Sequence, residues 1–194
     1  MKRRLAETAF LSILLCVSLG ATLSNSATAE VGPAGAHKPV LSELGRATSE
    51  TVPSPADVLG FKPGDDRKLA AWPQIVGYFQ KLAGASHRVL LQEPGFTTEH
   101  RPFIYALISS EENIRNINSI RDAQRKLADP RLIRSDAERQ QLIRDTPAVV
   151  AITCSIHSTE IGASQMSMEL AYRLATDDSP RTSQILNNVV LLLV

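Results

Sequence analysis

Two short apolar runs in the second half of the sequence constrain the fold more than any other feature. They cover residues 148–154 and 189–194 and consist mostly of valine, leucine, isoleucine and alanine. Continuous apolar runs of this length are typical of strands that are buried on both faces of a parallel sheet. A helical pattern from Met166 to Leu174 lies between them. We therefore predict a right-handed parallel β-α-β unit in an α/β fold, with residues 148–154 as a central strand.

The segment before the first run contains further strand and helix patterns. Apolar residues spaced three and four apart from Leu69 to Leu82 predict an amphipathic helix. Two strand patterns follow, and Pro94-Gly95 between them suits a hairpin. Two charged helices come next, with a break at Asp129-Pro130 and Ser135 as the N-cap of the second. The predicted strands are 88–93 and 102–109, and the predicted helices are 111–127, 135–144 and, before the last run, 181–186.

The first 29 residues have the three parts of a secretory signal peptide. Basic residues at positions 2–4 precede an apolar stretch over 9–23, and small residues at 26–29 suit cleavage by signal peptidase. A membrane anchor is the alternative, but a spanning helix needs about 20 apolar residues, more than this stretch offers. We predict that residues 1–29 form a signal peptide and that the mature protein is secreted or periplasmic, without membrane association after cleavage.

The remainder of the chain divides into two parts by composition. Residues 30–63 are rich in Pro, Gly, Ala, Ser and Thr and predict a disordered linker or pro-like segment. Residues 64–194 carry the strand and helix patterns and predict a folded domain. Because the sequence stops inside an apolar run, we expect this domain to be truncated; the alternative is a genuine C-terminal core strand.

Charge and cysteine content exclude several classes of protein. The 21 basic and 20 acidic residues give a formal charge of +1, with no basic cluster beyond the first few residues, so nucleic-acid binding is not predicted. Cys16 lies in the predicted signal peptide, which leaves Cys154 as the only thiol of the mature chain. No disulfide can form within it, and stability depends on an ordinary apolar core.

The turn after the first apolar run carries the residues best suited to chemistry. Open α/β sheets place their ligands beyond the carboxyl ends of the strands, where His157 and Glu160 lie. An imidazole and a carboxylate three residues apart can bind one divalent metal, and catalytic zinc usually has a third protein ligand. A purely structural role remains open, with Glu160 at a helix N-terminus and His157 ending the strand. The other histidines are interpreted as solvated loop residues; they are His37, His87 and His100.

Other catalytic motifs are missing or weak at this turn. Ile161 follows Glu160, so neither His-Glu-x-x-His nor its inverted form is present. Ser155 and Ser158 are not surrounded by the Gly-x-Ser-x-Gly pattern of serine hydrolases. Cys154 belongs to the apolar run and is interpreted as a small core residue rather than a nucleophile. The residues of this turn therefore leave open both a metal site and the purely structural role.

Over a longer stretch, the sequence resembles the zinc carboxypeptidase family. The strand, the His-x-x-Glu turn and the helix start within Thr146–Gly162 match the pattern of that family. The likeness covers roughly two-thirds of the chain and includes residues 60–65, Trp72, 97–99 and 102–109. It implies an α/β/α sandwich around a mixed, partly parallel eight-stranded sheet. It also implies that His157 and Glu160 are zinc ligands and that the substrate is a peptide or a related amide.

The same resemblance implies an incomplete site. The third histidine ligand of the family, its substrate-binding arginine and asparagine and its catalytic glutamate would all lie beyond position 194, so no catalytic residue is assigned within the chain. Digestive members of the family often carry arginine just before the glutamate ligand, where this sequence has Thr159. We expect a zinc-dependent metallocarboxypeptidase-like hydrolase whose fragment is inactive by itself. The alternatives are a non-catalytic binding domain or pseudoenzyme of the same fold, and an amidoacid deacylase of the same superfamily.

Overall fold

A computed structural model of the chain describes residues 52–194. The predicted signal peptide and residues 30–51 of the predicted linker lie outside this part. Within it, four strands form one mixed sheet in the order β1-β2-β4-β3. The strands are β1 (Val89–Phe96), β2 (Pro102–Ile108), β3 (Ala148–Ile152) and β4 (Val189–Leu193). The α/β class and the mixed sheet predicted from the sequence are confirmed.

The sheet combines two antiparallel strand pairs with one parallel pair. β1 and β2 form the predicted antiparallel hairpin, with an irregularity in the register between Gln92 and Gly95. β2 then pairs antiparallel with β4, and β4 pairs parallel with β3, with Ala148 opposite Val189 and Ile152 opposite Leu193. Because β3 and β4 run parallel, their carboxyl ends lie at the same end of the sheet.

Seven α-helices lie within residues 52–194, two before β1 and five between β2 and β4, and short polar side chains define several of their starts. Ser110, Ser135 and Ser179 each precede a helix and accept a hydrogen bond from a backbone amide in its first turn, as N-cap residues do. The predicted helix 111–127 is interrupted at Asn116. The helices are α1 (Pro55–Leu59), α2 (Trp72–Ala85), α3 (Glu111–Arg115), α4 (Ile117–Ala128), α5 (Asp136–Asp145), α6 (Ile161–Thr176) and α7 (Pro180–Asn188).

The core lies where α2 and α6 contact each other and the β1–β2 hairpin. Tyr78 and Leu82 of α2, Ile108 of β2 and Met168 of α6 are fully buried there. The side-chain oxygen of Gln165 on α6 accepts a hydrogen bond of 3.2 Å from the backbone amide of Ala70, just before α2. These contacts fix α6, and with it the turn that precedes this helix. None of the helices in the described range is long and apolar enough to span a membrane.

The structure corrects the prediction that residues 148–154 form a central strand. Only β4 pairs with β3 within residues 52–194, so β3 lies at an edge of the sheet. Val149 and Val150 are 46% and 44% exposed. A β-branched run shows that a strand tolerates burial on both faces, but burial itself depends on which segments pack against it. The second predicted strand is buried as expected, since Val190, Leu191 and Leu193 belong to the core.

The folded part also begins earlier than predicted. Residues 55–59, inside the predicted linker, form α1, which Ser54 and Asp57 stabilise as a capping box and Gly60 ends with a φ of 76°. Val52 and Pro55 are buried. A helix of five residues needs few apolar contacts, so the composition of residues 30–63 as a whole did not indicate it. The next helix, α2, begins at Trp72, and Leu69, which was predicted to belong to it, is exposed.

Candidate metal centre

Residues 153–160 join the end of β3 to the start of α6 in a tight, internally bonded turn. Ser155 has a φ of 90°, which is unusual for a residue other than glycine. Its hydroxyl donates to the carbonyl oxygen of Glu160 at 2.5 Å and also lies 3.3 Å from that of His157. The amide of Glu160 donates to the carbonyl oxygen of His157 at 3.0 Å. These bonds hold His157 and Glu160 on one small loop at the carboxyl end of a parallel strand.

The two candidate ligands converge. His157 Nδ1 lies 2.9 Å from Glu160 Oε1. The other carboxylate oxygen, Oε2, accepts hydrogen bonds from the backbone amides of His157 at 3.2 Å and Ile156 at 3.3 Å. The hydrogen bond from the His157 side chain, followed by those from the two amides, holds the pKa of Glu160 below its usual range. The carboxylate is therefore ionised at neutral pH and faces a ring nitrogen.

This arrangement fits a divalent zinc ion. A tetrahedral zinc that binds a histidine nitrogen and a carboxylate oxygen at about 2.0–2.1 Å holds the two atoms roughly 3.3 Å apart. The observed separation of 2.9 Å needs to open by only a few tenths of an ångström. Both side chains are accessible, with 72% of His157 and 53% of Glu160 exposed. The donor set, one imidazole nitrogen and one carboxylate, is also one that zinc accepts.

The Glu160 side chain does not cap α6. Glu160 occupies the N-cap position of α6, but its side chain makes no capping hydrogen bond to the first turn of that helix. Its carboxylate instead accepts from the amides on the other side, within the turn itself. The side chain is therefore oriented toward His157 rather than toward α6.

No third ligand joins the pair within residues 52–194. This part of the chain contains no group of three or more His, Cys, Asp and Glu side chains that could hold a metal. His87 follows α2 and is exposed, and His100 lies in the exposed loop of the β1–β2 hairpin with a φ of 56°. His37 lies outside the described residues. The structure thus brings together the two predicted ligands, and only these.

The nucleophiles considered from the sequence are poorly placed for catalysis. The Ser155 hydroxyl is engaged with backbone carbonyl oxygens, and Ser158 is exposed on the turn. Cys154 is half-buried, and this burial raises the pKa of its thiol, which disfavours the reactive thiolate. The bonding role of Ser155 was missed from the sequence. Its only signal is a small polar residue directly after a strand, which is common in turns.

Strand, turn and helix together define an α/β protein whose candidate ligands lie at the carboxyl edge of parallel strands. The family model of zinc carboxypeptidases matches residues 75–194, which is more than half of the chain and includes the whole turn. The protein belongs to the zinc carboxypeptidase family. No curated protein and no solved structure matches the chain.

Proposed function

We propose that this chain is part of an exported, zinc-dependent metallocarboxypeptidase-like hydrolase of peptide bonds and that His157 and Glu160 are two of its zinc ligands. The observation that carries the proposal is the convergence of His157 Nδ1 and Glu160 Oε1 on a turn held by its own hydrogen bonds. Family membership supports the hydrolase class and the identity of the metal. The predicted signal peptide supports export.

Four residues of the turn have a part in this proposal. His157 and Glu160 would hold the metal, and the amides of Ile156 and His157 orient the carboxylate by binding its second oxygen. Ser155 keeps the loop closed through its bond to the Glu160 carbonyl oxygen. When bound, zinc supplies a Lewis acid that polarises a scissile carbonyl and lowers the pKa of a coordinated water. Catalytic zinc usually has three protein ligands, so the chain alone is expected to bind zinc weakly and to be inactive.

Zinc binding tests the ligand assignment. We expect His157→Ala and Glu160→Gln each to weaken zinc binding by at least ~10-fold, because loss of an outer-shell partner alone costs about 10- to 100-fold. The control is His87→Ala, which removes an exposed imidazole outside the turn and should leave the affinity unchanged. Isothermal titration measures the zinc affinity of each variant, and a peptide hydrolysis assay on the same preparation measures its activity.

The outcomes of this titration separate the candidates. Equal zinc affinity for the wild type and His157→Ala would refute the ligand assignment and favour a non-catalytic binding domain or pseudoenzyme. We consider this alternative because residues 52–194 offer only two candidate ligands and no group of three. Zinc-dependent peptide hydrolysis by the wild-type chain would show that the expectation of inactivity is wrong.

Thr159 favours a second candidate within the same superfamily. This residue is exposed and directly precedes Glu160, at the place where digestive members of the family often carry arginine. A short uncharged side chain here removes one cation from the neighbourhood of the metal. Hydrolysis of a related amide by an amidoacid deacylase is therefore the alternative to cleavage of a peptide bond.

A further inference from the structure

A cleft of about 560 Å³ lies between α6 and the segment 63–69 that precedes α2. We call it the α6 cleft. The segment 63–69 forms one of its walls, and the helix forms the other through Ile161, Gly162, Gln165, Met166 and Glu169. Ligand pockets have volumes of roughly 300–1,000 Å³, so the cleft has the size of a binding site. Because Ile161 directly follows Glu160, the cleft begins next to the candidate metal turn.

The segment 63–69 is held in place by backbone hydrogen bonds. The amide of Asp65 donates to the carbonyl oxygen of Lys62 at 3.0 Å, and the amide of Lys68 donates to the carbonyl oxygen of Asp65 at 3.1 Å. The amide of Ala70, just after the segment, donates to Gln165 Oε1 at 3.2 Å. This last bond joins the two walls, so the cleft is formed before a ligand enters.

Gln165 brings an unpaired hydrogen-bond donor to the cleft. The residue is only 6% exposed, and its side-chain oxygen is bound to the amide of Ala70. Its side-chain nitrogen carries two N–H donors, and it donates to no atom of residues 52–194. Tyr78 Oη is the single fully buried side-chain polar atom of this range without a partner, so the nitrogen of Gln165 is accessible. Since Gln165 lines the α6 cleft, a group in the cleft can accept from it.

The charges of the cleft favour an uncharged acceptor over an anion. Three acidic and two basic side chains line it, which are those of Asp65, Asp66, Glu169, Arg67 and Lys68. Because carboxylates outnumber cations on the walls, an anion gains no net attraction there. A carbonyl oxygen accepts the same hydrogen bond from Gln165 without being repelled as an anion is. The donor and the charges together therefore indicate a neutral carbonyl group.

Apolar side chains are exposed on both walls of the cleft. Leu69 of the segment is 56% exposed, and Ile161 of the helix is 48% exposed. Pro63 and Met166 add further apolar surface. An apolar group that covers these side chains removes their surface from water, which is favourable. A peptide supplies what both walls lack, since each of its residues carries a carbonyl oxygen next to a side chain.

We propose that the α6 cleft binds an uncharged stretch of the peptide substrate. A backbone carbonyl oxygen of the substrate accepts from Gln165 Nε2, and an apolar side chain packs against Leu69 and Ile161. This inference rests on the proposed function, because it takes the bound peptide to be the substrate of the neighbouring metal site. The substrate then extends from the metal turn into the cleft, so it has several residues and is not a single acylated amino acid.

The side-chain amide of Gln165 reports binding in the cleft directly. In the chain labelled with nitrogen-15, we expect N-acetyl-Ala-Leu-Ala-amide to shift the side-chain N–H resonances of Gln165 saturably, because one N–H gains an acceptor. Both ends of this peptide are blocked, so it carries no charge. N-acetyl-Ala-Asp-Ala-amide should bind at least ~10-fold more weakly, because its carboxylate loses hydration beside other carboxylates.

Gln165→Glu separates the two roles of this side chain. One carboxylate oxygen can still accept from the amide of Ala70, but the donor is lost and the other oxygen repels a peptide carbonyl group. We expect the affinity for the leucine peptide, measured by isothermal titration, to fall at least ~10-fold. Gln141→Glu, on the exposed surface of α5, is the matched control and should leave the affinity unchanged. Circular dichroism verifies that both variants are folded.

A second pair of variants tests the apolar contact and does not depend on a buried position. Leu69→Ala truncates an exposed side chain of the cleft and should weaken binding of the leucine peptide about 5-fold. Leu132→Ala truncates a leucine that is 49% exposed and does not line the cleft, so the affinity should stay the same. If Gln165→Glu does not fold, this pair provides the test. Equal affinities of Leu69→Ala and the wild type would overturn the proposal.

These outcomes are independent of the zinc test. The leucine peptide should bind His157→Ala as it binds the wild type, because neither candidate zinc ligand lines the cleft. Gln165 resonances that do not shift with this peptide overturn the proposal and leave water as the acceptor. Resonances that shift equally with acetate alone indicate an anion site and also overturn it. In either case the zinc titration of His157→Ala still decides the ligand assignment.

Discussion

The hydroxyl of Tyr78 is buried on α2 in the centre of the core. Among the described residues, Tyr78 Oη is the single buried side-chain polar atom without a hydrogen-bond partner. Burial, followed by the nearby charge of Glu169, raises the pKa of Tyr78, so the hydroxyl stays neutral over the ordinary pH range. A buried, unpaired hydroxyl costs folding free energy relative to a hydroxyl in water.

Removal of this hydroxyl should therefore stabilise the protein. We expect Tyr78→Phe to raise the free energy of unfolding by about 1 kcal/mol, since it removes an unpaired polar group and keeps the ring. Urea denaturation followed by circular dichroism measures the change. Tyr172→Phe is the control, because Tyr172 on α6 is only half-buried, and it should change stability by less than about 0.5 kcal/mol. Destabilisation by Tyr78→Phe would indicate that the hydroxyl has a partner after all.

For the two candidate ligands, the sequence indicated which residues to consider but not which role they have. A spacing of three residues made His157 and Glu160 candidates, but by itself it fitted a helix N-terminus and a strand end better than a metal site. The direction of the Glu160 side chain distinguishes these roles, and it depends on the amides of residues 156 and 157. Those amides follow Ser155, whose positive φ is unusual for serine and is not indicated by the sequence.

At the scale of elements, a partly buried ion pair joins α4 to α5. Lys126 Nζ lies 3.1 Å from Glu138 Oε1, and the backbone amide of Arg134 donates to Glu138 Oε2 at 2.8 Å. The hydrogen bond from the Arg134 backbone amide lowers the pKa of Glu138 most, and the hydrogen bond from the Lys126 side chain lowers it further. A carboxylate whose pKa is lower in the folded state stabilises the fold above its unfolded pKa, and this contribution is lost as the pH falls through the folded value.

A substitution at Glu138 should therefore have a pH-dependent effect. We expect Glu138→Gln to be less stable than the wild type at about pH 7, and the difference to shrink at about pH 3, where the carboxyl group is increasingly protonated. Urea titrations at both pH values measure it. Glu93→Gln, on the exposed end of β1, is the matched control. A difference that is the same at both pH values would show that ionisation of Glu138 does not stabilise the α4–α5 contact.

Helix starts were easier to predict than helix continuity. Ser135 was identified as an N-cap, and its hydroxyl accepts from the amide of Glu138 at 3.1 Å, because capping depends on neighbours within one turn. The break at Asn116 was not predicted. The side chain of Asn113, just before it, donates to Ser109 Oγ and to the carbonyl oxygen of Leu186. Leu186 is 73 residues away in the sequence, so local patterns do not reveal this contact.

At the scale of the whole molecule, the two apolar runs differ in how exposed they are in the sheet. Val149 on β3 and Val190 on β4 are direct partners in the parallel ladder. Val190 is 1% exposed, whereas Val149 is 46% exposed at the sheet edge. An exposed apolar edge strand is a template for pairing with another chain, and a charged side chain on it opposes such pairing.

The same substitution at these two partners should have different effects. We expect Val149→Lys to change the free energy of unfolding by less than about 0.5 kcal/mol and to reduce self-association of the chain. Val190→Lys should destabilise by about 4 kcal/mol or more, because it buries an unpaired charge. Urea denaturation and light scattering at increasing protein concentration measure these effects. A Val149→Lys variant that associates as strongly as the wild type would contradict the role of the β3 edge.

By itself, the sequence determined the α/β class, the β1–β2 hairpin, the capped start of α5 and two candidate metal ligands. These features depend on periodicity, turn residues and spacing within a few residues of one another. Only the tertiary structure decided that β3 lies at an edge, that Glu160 faces His157 rather than its own helix, and that Trp72 and Cys154 line one pocket. The first and the last of these depend on segments far apart in the chain, and the second depends on the backbone conformation of the turn, which local sequence patterns do not specify.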